Sequence, residues 1–567
     1  MLRYKNRKRL SLIDDTCWLD VKQSNAIKKT VYYTFRQEIL PYLPVTMFKK
    51  YFSSDFGRPT KDIQSILGLF IIQALTDLTD AEAIEAYCFH DTVRYALDLN
   101  RDAYLAERTY YAYRAKLLGE GNEVFEQVLE RIGKRLNLEH GIQRKDSTLV
   151  GTHLKQMSKL ELFRTTIQLF FKELNKRHPI IFSRIPEMTR ERYFPSKDQE
   201  TWFAAGKPSQ YKECLIDAAR DVLLLIDRFA QHASVAEVES FQLLQRLAKE
   251  QIHVQDDIVE VTLDKQFKGS ALSNPHDPEA RYDGHRKKVG YHVQITETCA
   301  TSKELDNPKI VTQVEVNPAN TPDVQTVVPG IDRLEQTGLK PDVLLTDNGY
   351  DSDDNHQELI KRGVELVCPP SGKAPDGLGV IDFTLDGDGK QIQKCPADKP
   401  CLENRVNEKR ECTSSYFAVE TCRSCPHSYD CPVKITKHKA KLTWNWKQPR
   451  LEARRLQFAE DPEMKKLFRQ RSGAEAPMSI LKNKMGLTRI RRRGRLKITL
   501  AVFLAATALN VLRTHQWLMR KALEAMSKSK MLSNYCPSVA LYHLFCSANP
   551  GSRIQCSRRD DRWGMAA

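Results

Sequence analysis

Three acidic residues stand where a sheet and its helices can bring them together. They are Asp146 in Asp146-Ser147-Thr148, Asp347 in Leu345-Thr346-Asp347-Asn348-Gly349-Tyr350, and Glu475 just after a break at Gly473. Hard divalent cations prefer oxygen ligands, and one acid cannot place two of them, so carboxylates must converge from different elements. The chemistry such a set performs on a phosphate backbone is phosphoryl transfer. Each acid also has a plainer reading: a helix N-cap at Asp146, a turn at Asp347-Asn348-Gly349 and a solvated helix position at Glu475.

The neighbours of Glu475 sharpen the pattern. Arg471 lies one helical turn before it, and its planar fork suits a phosphate. Lys482 lies seven residues beyond, two turns on and on the same helix face, within reach of a phosphate beside the metal site. Further on, Arg489, Arg491, Arg492, Arg493 and Arg495 form a basic run, and no acid occurs from Ala476 to Leu523. Such a density suits a polyphosphate partner, although a solvated basic face has the same composition. Six cysteines fall between Cys395 and Cys431. Cys422-x2-Cys425 can chelate one zinc, and Cys395 with Cys431 can complete a tetrahedral thiolate site that braces a loop-rich segment. Free buried thiols are the alternative.

The elements that must position these residues are legible in outline. Residues 1–135 read as helical: Ile63, Ile66, Leu67, Phe70, Ile71 and Leu75 recur at helical spacing, Thr79-Asp80-Ala81-Glu82 is a capping box, and a third helix starts near Thr109. They form either a helix-turn-helix DNA reader, the preferred reading, or a bundle that packs the N-terminus. A segment from Gly141 to Val150 ends as a strand at Asp146-Ser147-Thr148. The helical pattern from Ser158 to Glu250 looks inserted. Period-two strands at Tyr291–Ile295 and Ile310–Val316 predict an antiparallel hairpin. Helical Asp323–Thr337 leads into strand Val343–Asp347, and a further helix returns to strand Val364–Cys368, a βαβ unit. From Pro369 to about Pro449 the chain is rich in Gly, Pro and Cys. Helices resume at Leu451, and no pattern is readable after about Ser527.

Size and charge bound the rest. A chain of 567 residues exceeds the ~250–300 that one core supports, so several units are expected. The formal charge of +16 and the basic run favour a nucleic-acid partner. The N-terminus lacks a signal-peptide apolar stretch, and the apolar run Ile498–Leu512 is shorter than the ~20 residues of a membrane helix. The expected location is cytoplasmic and nucleoid-associated, with no membrane span.

Taken together, the motifs resemble DDE transposases of bacterial insertion sequences. Asp146-Ser147-Thr148-Leu149-Val150 resembles the family's first-Asp strand, Leu345-Thr346-Asp347-Asn348-Gly349-Tyr350-Asp351-Ser352 its second-Asp motif, and Arg471-Ser472-Gly473-Ala474-Glu475 with Lys482 its Tyr-x2-Arg-x3-Glu-x6-Lys signature. Phe468 stands at the signature's Tyr position and lacks the hydroxyl. Asn274–Tyr282 and Gly290–Ile295 resemble the family's run into its second strand. Asp264 and Asp277 are rival first acids, and the flanking residues favour Asp146. The resemblance implies an RNase H-like α/β mixed sheet with an N-terminal all-helical, DNA-binding region at 1–135. It implies a catalytic domain from 140–150, 255–368 and 451–515, a helical insertion at 151–254, a Cys-rich insertion at 369–450 and a tail at 525–567. It further implies that Asp146, Asp347 and Glu475 bind two Mg2+ or Mn2+ ions, that structural Zn2+ sits in the cysteine segment, and that a homodimer holds double-stranded transposon-end and target DNA. Two alternatives stand beside it: a catalytically inactive, zinc-braced DNA-binding derivative, and an RNase H-like nuclease that cuts without joining.

Overall fold

The computed structural model describes residues 4–5, 7, 16, 19–53, 56–151, 157–194, 210–256, 258–262, 269–299, 308–374 and 376–533. Asp264 and residues 534–567 lie outside this set, as does the side chain of Arg489.

The longer helices that precede the sheet are α1 (Ile63–Thr76), α2 (Asp80–Phe89), α3 (Glu107–Leu117) and α4 (Gly121–Leu136). Their starts follow from local chemistry. Asp62 caps α1 through the Ser65 N–H, and the expected capping box forms at α2, with Thr79 and Glu82 each accepting the other's backbone N–H. These helices share one hydrophobic core with the sheet and with the last helix rather than closing on a core of their own.

A six-stranded mixed sheet forms the centre. Its strands are β1 (Ile142–Gly151), β2 (Arg281–Asp283), β3 (Lys288–Thr298), β4 (Val311–Pro318), β5 (Val343–Leu345) and β6 (Glu365–Val367). The long path runs β4-β3-β1-β5-β6, with β2 beside the start of β3. Strand β3 is antiparallel to β1 and β4, as the period-two pattern of the hairpin predicts, whereas β1, β5 and β6 are parallel. The α/β mixed-sheet class expected from the sequence is thus present. The connection from β4 to β5 is the helix Val327–Gln336, and that from β5 to β6 is Asp353–Lys361.

One expectation needs correction. Asp146 lies in the middle of β1, not at its end, because β3 supplies pairing partners for β1 as far as Gly151. On the other side, the parallel ladder with β5 pairs only Ile142, Gln143 and Arg144 with Val343, Leu344 and Leu345. The two strands then separate, and continuing that register sets Asp146 level with Asp347.

Between β1 and β2 the helices Lys159–Arg177, Tyr211–Phe229 and Glu239–Gln251 pack on each other around a separate core that includes Phe163, Phe170, Phe171, Phe229 and Phe241. After β6, a four-stranded antiparallel sheet (Glu403–Asn407, Cys412–Phe417, Ala440–Asn445 and Lys434–Ile435) closes on Phe383, Phe417 and Trp444.

The final helix, Arg495–Ser533, extends past 525, where the sequence predicts a tail. Its stretch to residue 527 is long and apolar enough to cross a membrane, but two-thirds of its most apolar window is buried in the protein, against α1, α4 and β4. Asn510 fixes it to the sheet: its side-chain amide donates to the Val311 carbonyl and accepts from the Val311 N–H, both at 2.8 Å. Those backbone groups on the edge strand would otherwise be buried without partners.

Candidate functional site

Two of the three acids meet through one guanidinium. Arg471, in the 3-10 segment Arg469–Ala474, places Nη2 3.5 Å from Asp146 Oδ1 and 3.2 Å from Asp347 Oδ2. Asp347 caps the short turn Asn348–Tyr350, accepting the Gly349 N–H at 2.9 Å, so it keeps the turn role expected of its motif while its other oxygen faces Arg471. Asp146 is mostly buried. Burial pushes its carboxyl above the usual range, Arg471 and the Ser147 N–H pull it down, and Asp347 and Asp323 push it up again.

Arg471 is positioned from beneath by buried charge. Arg144, two residues before Asp146 and on the same strand face, pairs with Glu297 on β3, and Arg513 from the last helix pairs with the same carboxylate. Arg144 also donates at 2.6 Å to the carbonyl of Gln470, the residue before Arg471. Gly473 completes the fit, since a Cβ there would come within 2.1 Å of Arg144 Nη1.

Sequence reasoning missed a fourth carboxylate, Asp323. It accepts from the Ser147 hydroxyl at 3.0 Å and from the Gln294 amide, and the Tyr350 hydroxyl donates to the same Gln294. This partly buried chain links β1, β3 and the Asp347 turn. In sequence Asp323 looks like any acid opening a helix. The basic turn Arg286-Lys287-Lys288, which leads into β3, was also passed over: Arg286 and Lys288 act electrostatically on Lys482.

The remaining candidates divide. Lys482 is half-buried; burial lowers its pKa, as do Arg286 and Lys288, while Asp146 opposes them, so it stands within electrostatic reach of the first acid. Glu475 opens the helix Glu475–Asn483, between Arg471 and Lys482, and is exposed. Among the described residues its side chain forms no hydrogen bond or ion pair. Of the basic run, Arg491 and Arg493 are exposed, and Arg495 lies against Glu279 and the Val316 carbonyl. Arg492 turns its side chain to within 3.7 Å of Asp80, beside Arg114 and Tyr110. Phe468 packs edge-on against Phe458 at 5.2 Å rather than presenting a free ring. The rival Asp277 is buried, accepting from the Tyr291 hydroxyl at 2.6 Å and the Gly494 N–H at 3.1 Å, which occupies it structurally. The φ of +88° at Gly494 lets the chain turn there from the basic run into the last helix.

Cys395, Cys422, Cys425 and Cys431 line one small pocket with His427, whereas the Cys401 thiol bonds the Glu403 and Tyr416 carbonyls instead.

The family described as Transposase DDE domain matches residues 394–515. The match supports a DDE transposase. It includes Arg471, Glu475, Lys482, the basic run and the four pocket-lining cysteines, and it does not reach Asp146 or Asp347. No curated protein matches the chain, and no solved structure matches it. A transposase DDE domain points to a metal-dependent enzyme acting on DNA. The donor set fits that chemistry, because Asp146 and Asp347 offer only oxygen, the donor that Mg2+ and Mn2+ prefer. Arg471 holds a positive charge between them, and its Nε is buried without a partner among the described residues.

Proposed function

We propose that this chain cuts DNA at the ends of a bacterial insertion sequence and joins the freed end to target DNA, with Asp146, Asp347 and Glu475 holding two Mg2+ or Mn2+ ions. The observation that carries the reading is the shared contact of Arg471 with Asp146 and Asp347, which sets the family's third-acid segment against the two acids the family match does not reach. The strand order also supports an RNase H-like catalytic domain: numbered along the chain without the short β2, the strands run third, second, first, fourth, fifth, with only the second antiparallel to the first.

When bound, such ions activate water or a DNA 3′-hydroxyl and stabilise the leaving oxygen. The protein's own part is to collect and orient. Asp146 and Asp347 present oxygens where the parallel strands separate, and Glu475 stands free on the adjoining helix end. Arg471, whose guanidinium lies between Asp146 and Asp347, would offer its fork to a phosphate at the site. Lys482, Arg286 and Lys288 carry the positive field along the backbone, and Arg491 and Arg493 extend it towards the last helix. The cysteine quartet would hold a structural zinc that braces its segment, and pairing two DNA ends would require a homodimer. Asp347→Asn should abolish cleavage and spare DNA binding in a gel-shift assay. Intact cleavage with lost binding would overturn the assignment.

A further inference from the structure

A second cluster of metal-binding donors surrounds the Asp347 turn. Asp351 follows that turn, His356 lies on the helix Asp353–Lys361, and Cys368 follows β6 directly. All three are buried, and their donor atoms lie within 4.8 Å of one another. The separations are 3.1 Å from His356 Nε2 to Asp351 Oδ1, 3.7 Å from Cys368 Sγ to that oxygen, and 3.8 Å from Sγ to Nε2. Ligands bonded to one tetrahedral ion at ~2.0–2.3 Å stand about 3.3–3.8 Å apart, so this triangle already has the size of a coordination shell. The other Asp351 oxygen accepts the Ser371 N–H at 2.6 Å, which turns Oδ1 towards the histidine and the thiol. An open cavity of about 440 Å³, lined by His356, Cys368, Phe458 and Met464, adjoins the triangle and gives room for a water as fourth ligand. Arg454 also lines it, with its charge engaged 2.9 Å from Asp353.

We propose that Asp351, His356 and Cys368 form a binding site for a zinc-class divalent ion, which clamps the turn carrying Asp347 to the end of β6. Thiolate and imidazole select such an ion over Mg2+, so this site differs in metal as well as in place from the oxygen-only pair of Asp146 and Asp347. The simpler reading is an Asp–His hydrogen bond with a thiol beside it, and that reading predicts no bound metal.

The test uses the full chain, stripped with chelator and titrated with Co2+ alone, reading thiolate-to-cobalt absorption and the metal retained after gel filtration. Cys368→Ser and His356→Ala should each lose one equivalent relative to the parent chain, whatever Co2+ the cysteine pocket at Cys422 takes up in both. Cys368→His keeps a donor without sulfur, and should keep the equivalent while losing its share of the absorption. Cys368→Ser and His356→Ala chains that bind as much Co2+ as the parent, with unchanged spectra, would overturn the site. Should Cys368→Ser lose its circular dichroism, Cys368→His and Asp351→Asn carry the same test, with retention expected for the first and loss for the second. Metal content is read without DNA, so this site stands or falls separately from the transposition reading.

Discussion

Replacing Gly473 with alanine tests whether the buried charges beneath the site set the position of Arg471. The new methyl would lie 2.1 Å from Arg144 Nη1 and 2.7 Å from its Cζ, well inside the ~3.5–4.0 Å of ordinary non-bonded contact. Arg144 has little freedom to retreat: its side chain is 3% exposed and is held by Glu297 and the Gln470 carbonyl. Stripping it from Glu297 would cost about 3–5 kcal/mol, as breaking a buried pair does. Overpacking that displaces the backbone costs about 1–3 kcal/mol. The cheaper route wins, so the Arg469–Ala474 segment should shift. At about 2–4 °C per kcal/mol for a cooperative unit of ~200 residues, the melting temperature should fall by about 2–12 °C. The same shift carries Arg471 away from Asp146 and Asp347, and a misplacement of about 1 Å at a reacting centre costs on the order of 10²-fold in rate. Thermal melts followed by circular dichroism, together with Mg2+-dependent nicking of element-end DNA, read both effects, with Ser472→Ala as an exposed control. A Gly473→Ala protein that melts and cuts like the parent would refute the coupling.

Two further substitutions separate function from stability. Because the folded carboxyl of Asp146 is raised above its unfolded value, its ionised form costs stability, and that cost grows as pH rises through the window above 3.8. Asp146→Asn should therefore melt higher than the parent in metal-free buffer at pH 7 while losing about 10²–10³-fold or more of cleavage, as removal of one transition-state stabiliser does; a lower melting temperature would contradict this. Lys145 is buried with its amine bonded to the Thr326 carbonyl, and burial pushes its pKa down to about 8, against the partial opposition of Glu315 and Asp323. Its charged form is thus penalised below about pH 8, and the penalty is relieved between there and the ordinary lysine value of 10.5. Lys145→Met should gain about 1–3 kcal/mol in urea unfolding at pH 7, and the gain should shrink as pH approaches 10.5; a constant difference across that range would show that packing, not charge, decides it.

What the sequence discloses tracks how local each signal is. The capping box at Thr79, the hairpin of β3 and β4 and the turn at Asp347 are each encoded within a few residues, and all three form. The extent of β1 is not local: it depends on β3, more than a hundred residues later, and so the strand end was misplaced at Asp146. Asp323 and the Arg286–Lys288 turn are ordinary in sequence and gain meaning only when Ser147, Gln294 and Lys482 fold against them. The turn of Arg492 towards Asp80 depends on a residue far away in the chain, and a basic run by itself cannot show which of its members is already paired. The site residues Arg471 and Lys482 are legible through the resemblance to the Tyr-x2-Arg-x3-Glu-x6-Lys signature; Lys482 shares a helix with Glu475, whereas Arg471 lies in the 3-10 segment before it.

Glu475 is the acid whose side chain has no hydrogen bond or ion pair among the described residues, whereas Arg471 joins the other two, so it decides the three-acid site most directly. Purified protein is incubated with a supercoiled donor plasmid carrying its own element ends, in Mg2+ or in EDTA, and the parent chain is compared with Glu475→Ala. Cuts at the element ends that require Mg2+ and disappear in the variant, with DNA binding retained, are the predicted result. Equal cutting by the variant would remove Glu475 from the site, and binding without Mg2+-dependent cutting by the parent chain would contradict the enzyme itself.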